Sequence, residues 1–475
     1  MQHLATKLSI SSSILTLTIQ ASYAIISILQ YPSFARANTV SEFSQVLFAS
    51  FSQMALFIFV IFIISTLASS PLSPGGLLAF VIFLAVSAKQ TKGASNMLPC
   101  QDNYATTFDT YPSMLDYHKT LSKESNWHRC KVKDLHVEPL DASSVLCRNP
   151  TAFAVGISAD AVADTVEKLG LALRVDGKVY PVRTTAYKTL LDRAKIGGTS
   201  LPKLSRKDLA SVLNACLAVQ TSDALLLIRD EKVSAAHSGD VKDYSVLPMD
   251  ELLLVLEKKM GERFPGFRFE GGYSDHSFTS GNWIFPDQKE ELLGTYDQSL
   301  RYYGKTAMAS RLVPGIRFLT SDTGLASAKV SAMLMGTQHP IHIGSCIAVD
   351  HRHQKKVSDF GDALDQLFAQ FCDSVAKLQS LLSIELEYPG NAMTRICKKL
   401  SLPKKESLEA IAMYEMAYGG GPASAHDVFM AMQEIPYLMK VHHTPEAKML
   451  VVEENMARAL SLKWSDFDLA KAVSW

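Results

Sequence analysis

Apolar residues between positions 312 and 384 follow two different periods, and the change between them predicts three β-strands followed by one long helix. The predicted strands span 316–320, 329–334 and 341–349. Turn-forming residues separate them, including Asp322 and Gly324, because aspartate bonds its own backbone and glycine accepts a positive φ. From Ser358, the predicted N-cap, apolar residues recur every three or four positions, which is typical of a helix with one buried face. We therefore expect a β-meander covered by this helix.

Two-strand patterns and helical patterns alternate through the middle of the chain. Hairpins are predicted at 171–182, 224–236 and 267–285, and helices at 159–169, 205–216 and 249–260. A parallel sheet would instead show single strands alternating with helices. The predicted fold class is therefore α+β, with antiparallel hairpins and the β-meander packed on helices. Beyond residue 390 the pattern is helical throughout.

Composition and chain punctuation divide the sequence into five predicted segments. These are a hydrophobic membrane-like segment at 1–96, a linker at 97–157, an α+β domain with hairpins at 158–300, the β-β-β-α core unit at 301–390 and a helical region at 391–475. The linker is predicted because residues 97–157 contain four prolines and no sustained period. Proline removes a backbone donor and interrupts both helices and strands.

Charge is nearly absent from the first 96 residues, which contain five charged side chains. The uncharged run at 46–68 exceeds the roughly 20 residues that a helix needs to span a bilayer. Lys89 and Lys92 follow the last apolar run, and basic residues tend to stay on the cytoplasmic side. This predicts a cytoplasmic domain anchored to the inner face of the cell membrane. The alternative is a start site assigned too early, with translation beginning at Met97 or Met114.

The composition of the other 379 residues argues against a general attraction for polyanions. They carry 43 basic and 46 acidic side chains, a net charge of −3. Nucleic acid or anionic lipid would therefore need a local patch. The seven cysteines, an odd number with no C-x-x-C pair, suit reduced thiols in a cytosolic domain better than a disulfide framework or a structural zinc site.

Two clusters of basic residues are candidates for such a patch. The first contains Arg301, Tyr302, Tyr303, Lys305 and Arg311, and the second contains Lys398 and Lys399. Aromatic rings beside cations hold single-stranded nucleic acid, because bases stack on the rings and phosphates meet the cations. That surface would be extended by the aromatic hairpin, which contains Tyr273, Phe278, Trp283 and Phe285. A charged helix face and a packed hairpin account for the same residues without a ligand.

Histidine and aspartate are dense after the predicted meander, and imidazole and carboxylate are ligands of zinc and non-haem iron. The candidate metal ligands are Asp350, His351 and His353, with His339 and His342 nearby in the sequence. The basic residues around them oppose a cation, so a solvated turn is the competing interpretation.

The tripeptide Asp322-Thr-Gly324 matches the motif of aspartic proteases, in which two aspartates share a proton. No second copy occurs in the chain, so a turn after a strand is the simpler interpretation. No complete catalytic set and no cofactor motif is present. We therefore predict no catalytic residues and no cofactor, and keep a metal- or thiol-dependent enzyme as the alternative.

Four short sequences carry a resemblance to a known group of proteins. They are 171–177 (LALRVDG), 313–324 (VPGIRFLTSDTG), 388–393 (YPGNAM) and 425–427 (AHD). Over residues 171–469 the chain resembles phage/plasmid-like proteins of unknown function, which phages, plasmids and integrative elements encode. The resemblance implies a mobile-element context and assigns no catalytic residues, and the hydrophobic first 96 residues depart from its pattern. We therefore expect a non-enzymatic protein that binds single-stranded nucleic acid, or a replication or transfer partner from the same element.

Overall fold

The computed structural model describes residues 97–336, 340–344, 346–473 and 475. The chain divides into two units after residue 96, and the first unit lies outside the described residues, as does the predicted span at 46–68. None of the helices in the described ranges is long and apolar enough to cross a membrane. The described unit has the predicted α+β class, with helices packed on antiparallel sheets.

Fifteen strands form four sheets in the described residues. They are β1 (Ala105–Phe108), β2 (Asn126–Lys131), β3 (His136–Pro139), β4 (Leu171–Val175), β5 (Lys178–Pro181), β6 (Asp223–Arg229), β7 (Lys232–Ser238), β8 (Arg268–Asp275), β9 (Thr279–Ile284), β10 (Val313–Thr320), β11 (Ala328–Met335), β12 (Ile341–His342), β13 (Ile347–Val349), β14 (Glu385–Leu386) and β15 (Ala423–Ser424). The largest sheet has the order β1-β8-β9-β10-β11-β12, with β13 also paired to β11. The other sheets are β2-β6-β7, β3-β4-β5 and β14-β15, and all pairings between these strands are antiparallel.

Fourteen α-helices accompany the strands in the same ranges. They are α1 (Tyr111–Glu124), α2 (Val145–Arg148), α3 (Ala159–Glu167), α4 (Ala186–Ala194), α5 (Arg206–Leu217), α6 (Met249–Arg263), α7 (Lys289–Tyr302), α8 (Thr306–Arg311), α9 (Val357–Ser380), α10 (Pro389–Lys399), α11 (Lys404–Tyr418), α12 (Ala425–Met432), α13 (Glu434–Val441) and α14 (Glu446–Ala457). Five of them follow residue 388, so the predicted helical character of the C-terminal region is confirmed.

The predicted β-meander lies within the largest sheet. β10 pairs with β11, where Ile316 lies opposite Ala332, and β10 also pairs with β9. The third predicted strand is instead two short strands, β12 and β13, which both pair with β11. Gly344 lies between them, and glycine weakens a strand because it has no side chain to pack.

The long helix α9 covers this sheet as predicted. Its buried face contains Phe360, Leu364, Leu367, Phe368, Phe371, Val375 and Leu378. These side chains join the main hydrophobic core together with residues of β10 and β11. The helix begins at Val357, so the predicted N-cap at Ser358 is wrong. The carboxylate of Asp359 accepts a hydrogen bond from the backbone N–H of Lys356 at 2.7 Å, which favours the earlier start.

The segment 97–157, predicted to be a linker, contains regular structure. β1, α1, β2 and β3 all lie within it. Its strands are short and find partners far along the chain, since β1 pairs with β8, β2 with β6 and β3 with β4. Pro112 lies in the first turn of α1, where its missing N–H has no helical partner and proline is tolerated. The largest sheet also crosses the predicted boundary at residue 300, because β9 pairs with β10.

The three predicted hairpins are confirmed, and the first two build a second hydrophobic core. The β4–β5 turn places Asp176 and Gly177 at φ values of 48° and 74°. β6 and β7 pair across the next turn, and Leu226 of β6 is buried in this core with Leu190 of α4 and Leu213 of α5. The core therefore joins the two three-stranded sheets to α4 and α5.

Four charged side chains are buried together and connect distant segments. Lys232 and Arg183 have completely buried side chains. Lys232 Nζ lies 2.9 Å from Asp102 Oδ1 and 2.5 Å from Asp164 Oδ2. The guanidinium of Arg183 lies 3.5 Å from Asp102 and donates a hydrogen bond to the carbonyl of Gln101 at 3.2 Å. Because an unpaired buried charge is strongly unfavourable, the members of this buried charge set depend on one another.

Replacing Lys232 with methionine should lower the free energy of unfolding of the full chain by about 3–5 kcal/mol, because Asp102 and Asp164 would lose their cation. Urea unfolding followed by circular dichroism measures the change. Lys131→Met is the matched control, since Lys131 and its partner Asp223 are 55% and 35% exposed. The control should cost less than about 1 kcal/mol, and equal losses in the two variants would contradict the prediction.

Candidate functional site

The end of α7 places two tyrosine rings in solvent. Tyr302 is the last residue of the helix and Tyr303 follows it, and the residues are 85% and 46% exposed. The ring centroids are 5.2 Å apart and the planes meet at 86°, which is an edge-to-face pair. Gly304 then turns the chain toward α8 with a φ of 76°, a conformation that favours glycine. We call this exposed pair the tyrosine surface.

Two arginines of the first predicted cluster lie at the ends of α7 and α8, on either side of the tyrosines in the sequence. Arg301, in the last turn of α7, and Arg311, at the end of α8, are exposed, and neither forms an ion pair with a described residue. Lys305 differs, because its Nζ contacts the carboxylate of Asp427 near the start of α12. Burial alone would raise the pKa of Asp427, but hydrogen bonds from Lys305 and Ser424 hold it below its usual value. Within the first predicted cluster, Lys305 therefore fastens the α7–α8 segment to α12.

The second predicted cluster lies on another helix. Lys398 and Lys399 are exposed in the last turn of α10, where cations interact favourably with the helix dipole. Arg395, one turn earlier, donates a hydrogen bond to the carbonyl of Lys471 at 2.7 Å. These interactions account for the cluster without a ligand.

The aromatic hairpin does not extend the tyrosine surface. Trp283 and Phe285 are fully buried, and Phe278 is 5% exposed. Trp283 packs edge-to-face on Tyr111 of α1, with centroids 6.2 Å apart. Phe285 stacks on Phe264, which follows α6, at 4.1 Å. The prediction is wrong for these residues because helices cover the hairpin, and a local pattern does not reveal that contact.

The candidate metal ligands are not arranged as a ligand set. His351 is buried, and its Nδ1 donates a hydrogen bond to the carbonyl of Ser245 at 3.2 Å. Burial lowers the pKa of His351. The carboxylate of Asp350 accepts a hydrogen bond from a serine, and His353 is exposed in a turn with a φ of 58°. His339 lies outside the described residues, and among those that are described no three His, Cys, Asp or Glu side chains are placed to hold a metal ion.

The aspartate of the protease-like tripeptide, Asp322, organises a buried group of rings. Its backbone carbonyl accepts hydrogen bonds from His237 Nε2 at 2.8 Å and from Tyr244 Oη at 3.0 Å. The rings of His237 and Tyr244 are parallel with centroids 3.5 Å apart, and His351 lies parallel to Tyr244 at 5.6 Å. The carboxylate of Asp322 forms an ion pair with Arg229 at 3.1 Å. Its partner is therefore a cation, whereas the aspartate of a protease pairs with a second aspartate. This geometry favours a structural turn.

A cavity of about 900 Å³ opens beside these rings, and its wall is nearly balanced in charge. It is lined by the cations Arg193, Lys195, Lys242 and Arg352 and by the carboxylates Asp192, Asp243 and Asp350. The balance gives no preference for an anionic or a cationic ligand. His237 and Tyr244 also line it, and sequence reasoning missed them because each occurs singly and gains its neighbours only when β7 meets the turn at Asp322.

Three of the cysteine thiols are held in the unreactive form. All seven cysteines are free. Burial raises the pKa of Cys130 and of Cys346 to about 11, and that of Cys397 to about 12. The thiolate is the nucleophile, and these groups are protonated at neutral pH. The alternative of a thiol-dependent enzyme gains no support from them.

No protein-family model, curated protein or solved structure matches the chain. The resemblance to phage/plasmid-like proteins therefore stays a prediction from the sequence. What the chain binds must be inferred from the chemistry of its own exposed and buried residues.

His237 should make stability depend on pH between its ordinary pKa of 6.5 and its folded value of about 4, which burial lowers. In that range the unfolded chain binds a proton that the folded chain does not, so stability falls as the pH falls. His237→Gln should reduce the slope of unfolding free energy against pH there by up to about 1.36 kcal/mol per pH unit. Urea unfolding at several pH values measures the slope.

The internal control is the range from roughly pH 7 to 8.5, where His237 is neutral in both states and the two proteins should have equal slopes. An unchanged slope below pH 6.5 in His237→Gln would contradict the assignment.

Proposed function

We propose that this chain binds single-stranded nucleic acid at the tyrosine surface, with Arg301 and Arg311 contacting phosphates. The observation that carries the proposal is the exposed edge-to-face pair, in which Tyr302 is 85% exposed. Bases of a single strand stack on such rings, and each stacked base contributes about 1–3 kcal/mol. Burying the rings inside the protein would stabilise the fold, so folding alone gives no reason for two adjacent rings to stay in solvent.

A single strand fits this surface better than a duplex. Paired bases have no free faces to stack on tyrosine, whereas an unpaired strand presents them. Residues 97–475 have a net charge of −3, so long-range attraction for phosphate is weak and binding depends on local contacts. The expected affinity is therefore modest and sensitive to salt.

The mobile-element context and the location of the protein are part of the proposal. The context rests on the sequence resemblance over residues 171–469, and replication or transfer of such elements exposes single strands. Two observations favour a binding role over catalysis. The carboxylate of Asp322 forms an ion pair with Arg229, and buried thiols such as that of Cys346 are protonated at neutral pH. The anchor at 46–68 and a cytoplasmic location of the later residues rest on the sequence alone.

Tyr302→Ala and Tyr303→Ala should each weaken binding of a labelled single-stranded oligonucleotide by about 1–3 kcal/mol, with little change in salt dependence, because stacking carries no charge. Fluorescence anisotropy of the full chain measures the affinity. Tyr418→Ala is the matched control, since Tyr418 is 73% exposed at the end of α11 and precedes a glycine with a φ of 74°. Equal losses from Tyr302→Ala and Tyr418→Ala would argue against a specific surface.

Replacing Arg301 and Arg311 together with glutamine should flatten the plot of log affinity against log salt by roughly 1.4 units, because each phosphate contact on a single strand contributes about 0.7. The same anisotropy titration at several salt concentrations measures the slope. The control removes two other cations, Lys258 and Lys463, which are 75% and 77% exposed on other surfaces. If the arginine variant keeps the parent's slope, or if the parent shows no saturable binding at low salt, a protein partner replaces nucleic acid as the favoured ligand.

A further inference from the structure

We infer that a second cavity, at the end of α9, binds the phosphate group of a phosphate monoester. The cavity has a volume of about 370 Å³, near the lower end of the range for small-molecule sites. Its wall combines β11, β12, the last turns of α9 and the residues that end α14. The inference does not depend on the tyrosine surface, because none of the residues of that surface lines this cavity.

The charges around the cavity favour an anion. Lys329, Lys377 and Arg458 line it, against the single carboxylate of Glu454. Lys329 Nζ lies 2.9 and 3.1 Å from the two carboxylate oxygens of Glu454, so this pair is neutral as a unit. Lys377 and Arg458 are exposed and form no ion pair with a described residue. Two positive charges are therefore left over, and one paired carboxylate is a poor site for a cation.

A buried histidine in the wall lacks a hydrogen-bond partner. His342 is 5% exposed and lines the cavity, and no described group bonds its Nδ1. Its Nε2 lies 3.3 Å from a carboxylate oxygen of Glu453, so Nδ1 is the nitrogen left for a ligand. Buried polar atoms of folded proteins are nearly always satisfied by protein, water or ligand. With a proton on each ring nitrogen, the imidazole can donate a hydrogen bond from Nδ1 to a phosphate oxygen.

Glu453 does not compete for the cavity's cations. Its carboxylate contacts the guanidinium of Arg317, which is itself 8% exposed. Burial would raise the pKa of Glu453, but Arg317 and His342 lower it to about 2. The carboxylate is therefore ionised and held by Arg317, while Lys377 and Arg458 face the cavity without an opposing charge of their own.

Phosphate suits these groups better than a carboxylate, which has only two acceptor oxygens. Its several acceptor oxygens can bond an arginine, a lysine and a hydroxyl at the same time, and such charge-assisted hydrogen bonds are among the strongest in proteins. The buried hydroxyl of Ser331 lines the same cavity and supplies the uncharged donor. The cations come from separate elements, α9 for Lys377 and the residue after α14 for Arg458, so they can approach one phosphate from different directions.

The phosphate monoester has two potential sources, a small phosphorylated molecule or the 5′-phosphate of a nucleic-acid strand. Ala376 and Lys377 are consecutive residues of α9. Ala376 lines a cavity shared with Tyr303, whereas Lys377 lines the cationic cavity. Both cavities therefore border the same turn of α9. This makes the end of a strand bound at the tyrosine surface a candidate ligand of the cationic cavity.

Isothermal titration of the full chain with adenosine 5′-monophosphate, in phosphate-free buffer, tests the site. The monophosphate should bind at least about tenfold more tightly than adenosine, and inorganic phosphate should compete with it. Lys377→Gln with Arg458→Gln should lower affinity for the monophosphate at least about tenfold, because each removes a charge-assisted hydrogen bond. Lys448→Gln, an exposed lysine of α14 outside the cavity wall, should bind like the parent.

Circular dichroism and thermal unfolding should be parental in the double variant, since both of its residues are exposed. Each single variant is titrated as well, so that a folding defect in one does not decide the result. Equal affinity for the monophosphate and adenosine, no binding of either, or a double variant that binds like the parent would overturn the inference.

The two sources are separated with oligonucleotides that carry a 5′-phosphate or a 5′-hydroxyl, in the Tyr302→Ala background. A gain from the 5′-phosphate that the Lys377 and Arg458 substitutions remove identifies the strand end. A gain with the monophosphate alone identifies a small molecule. The monophosphate is also titrated into Tyr302→Ala, where its base cannot stack on that ring, so failure of the tyrosine surface and failure of this cavity give different results.

Discussion

The buried charge set is the interaction on which the described fold depends. Its members come from four segments, with Asp102 near the start of the described unit, Asp164 in α3, Arg183 after β5 and Lys232 at the start of β7. Each charge would be strongly unfavourable inside the protein by itself and is tolerated only when its partners have arrived. Arg183 also donates a hydrogen bond to the carbonyl of Asp230 at 3.4 Å, in the turn between β6 and β7. The buried charge set therefore holds the β6–β7 hairpin in place, and further buried polar contacts begin at the same turn.

That interior connects the two cores. Arg229, next to the same turn, pairs with Asp322 in the loop after β10, and the carbonyl of Asp322 accepts hydrogen bonds from His237 and Tyr244. The second core is thereby fastened to the largest sheet through polar contacts as well as apolar ones. Neutral, buried imidazoles are compatible with this position, because burial lowers the pKa of His237 to about 4. The protease-like tripeptide has a sufficient structural explanation in these contacts.

The candidate binding groups are those that the fold does not use. Three cations, Lys305, Arg229 and Arg317, form ion pairs with carboxylates of distant segments, so their charges stabilise the fold. Arg301, Arg311, Lys377 and Arg458 form no ion pair with a described residue. In a unit with a net charge of −3, such local excesses decide which anions approach the surface. α9 contacts both proposed sites. Gln379 donates a hydrogen bond at 2.9 Å to Ser299 of α7, the helix that ends at Tyr302, and Lys377 lines the cationic cavity.

The sequence by itself determined the α+β class, the meander of β10 and β11, the covering helix α9, three hairpins and the helical C-terminal region, because these follow from local periodicity and turn residues. It also indicated the tyrosine surface, since aromatic and basic residues occur there side by side. Only the tertiary structure decided that Trp283 and Phe285 are buried in the core and that Lys305 forms an ion pair with Asp427. It also decided that β1, β2 and β3 pair with later strands. The cationic cavity at the end of α9 was also evident only from the tertiary structure, because His342, Lys377 and Arg458 are distant in sequence and no periodicity relates them. Local pattern records which side chains share a face, whereas burial and pairing depend on which segment arrives to cover that face, and this is a property of the assembled chain.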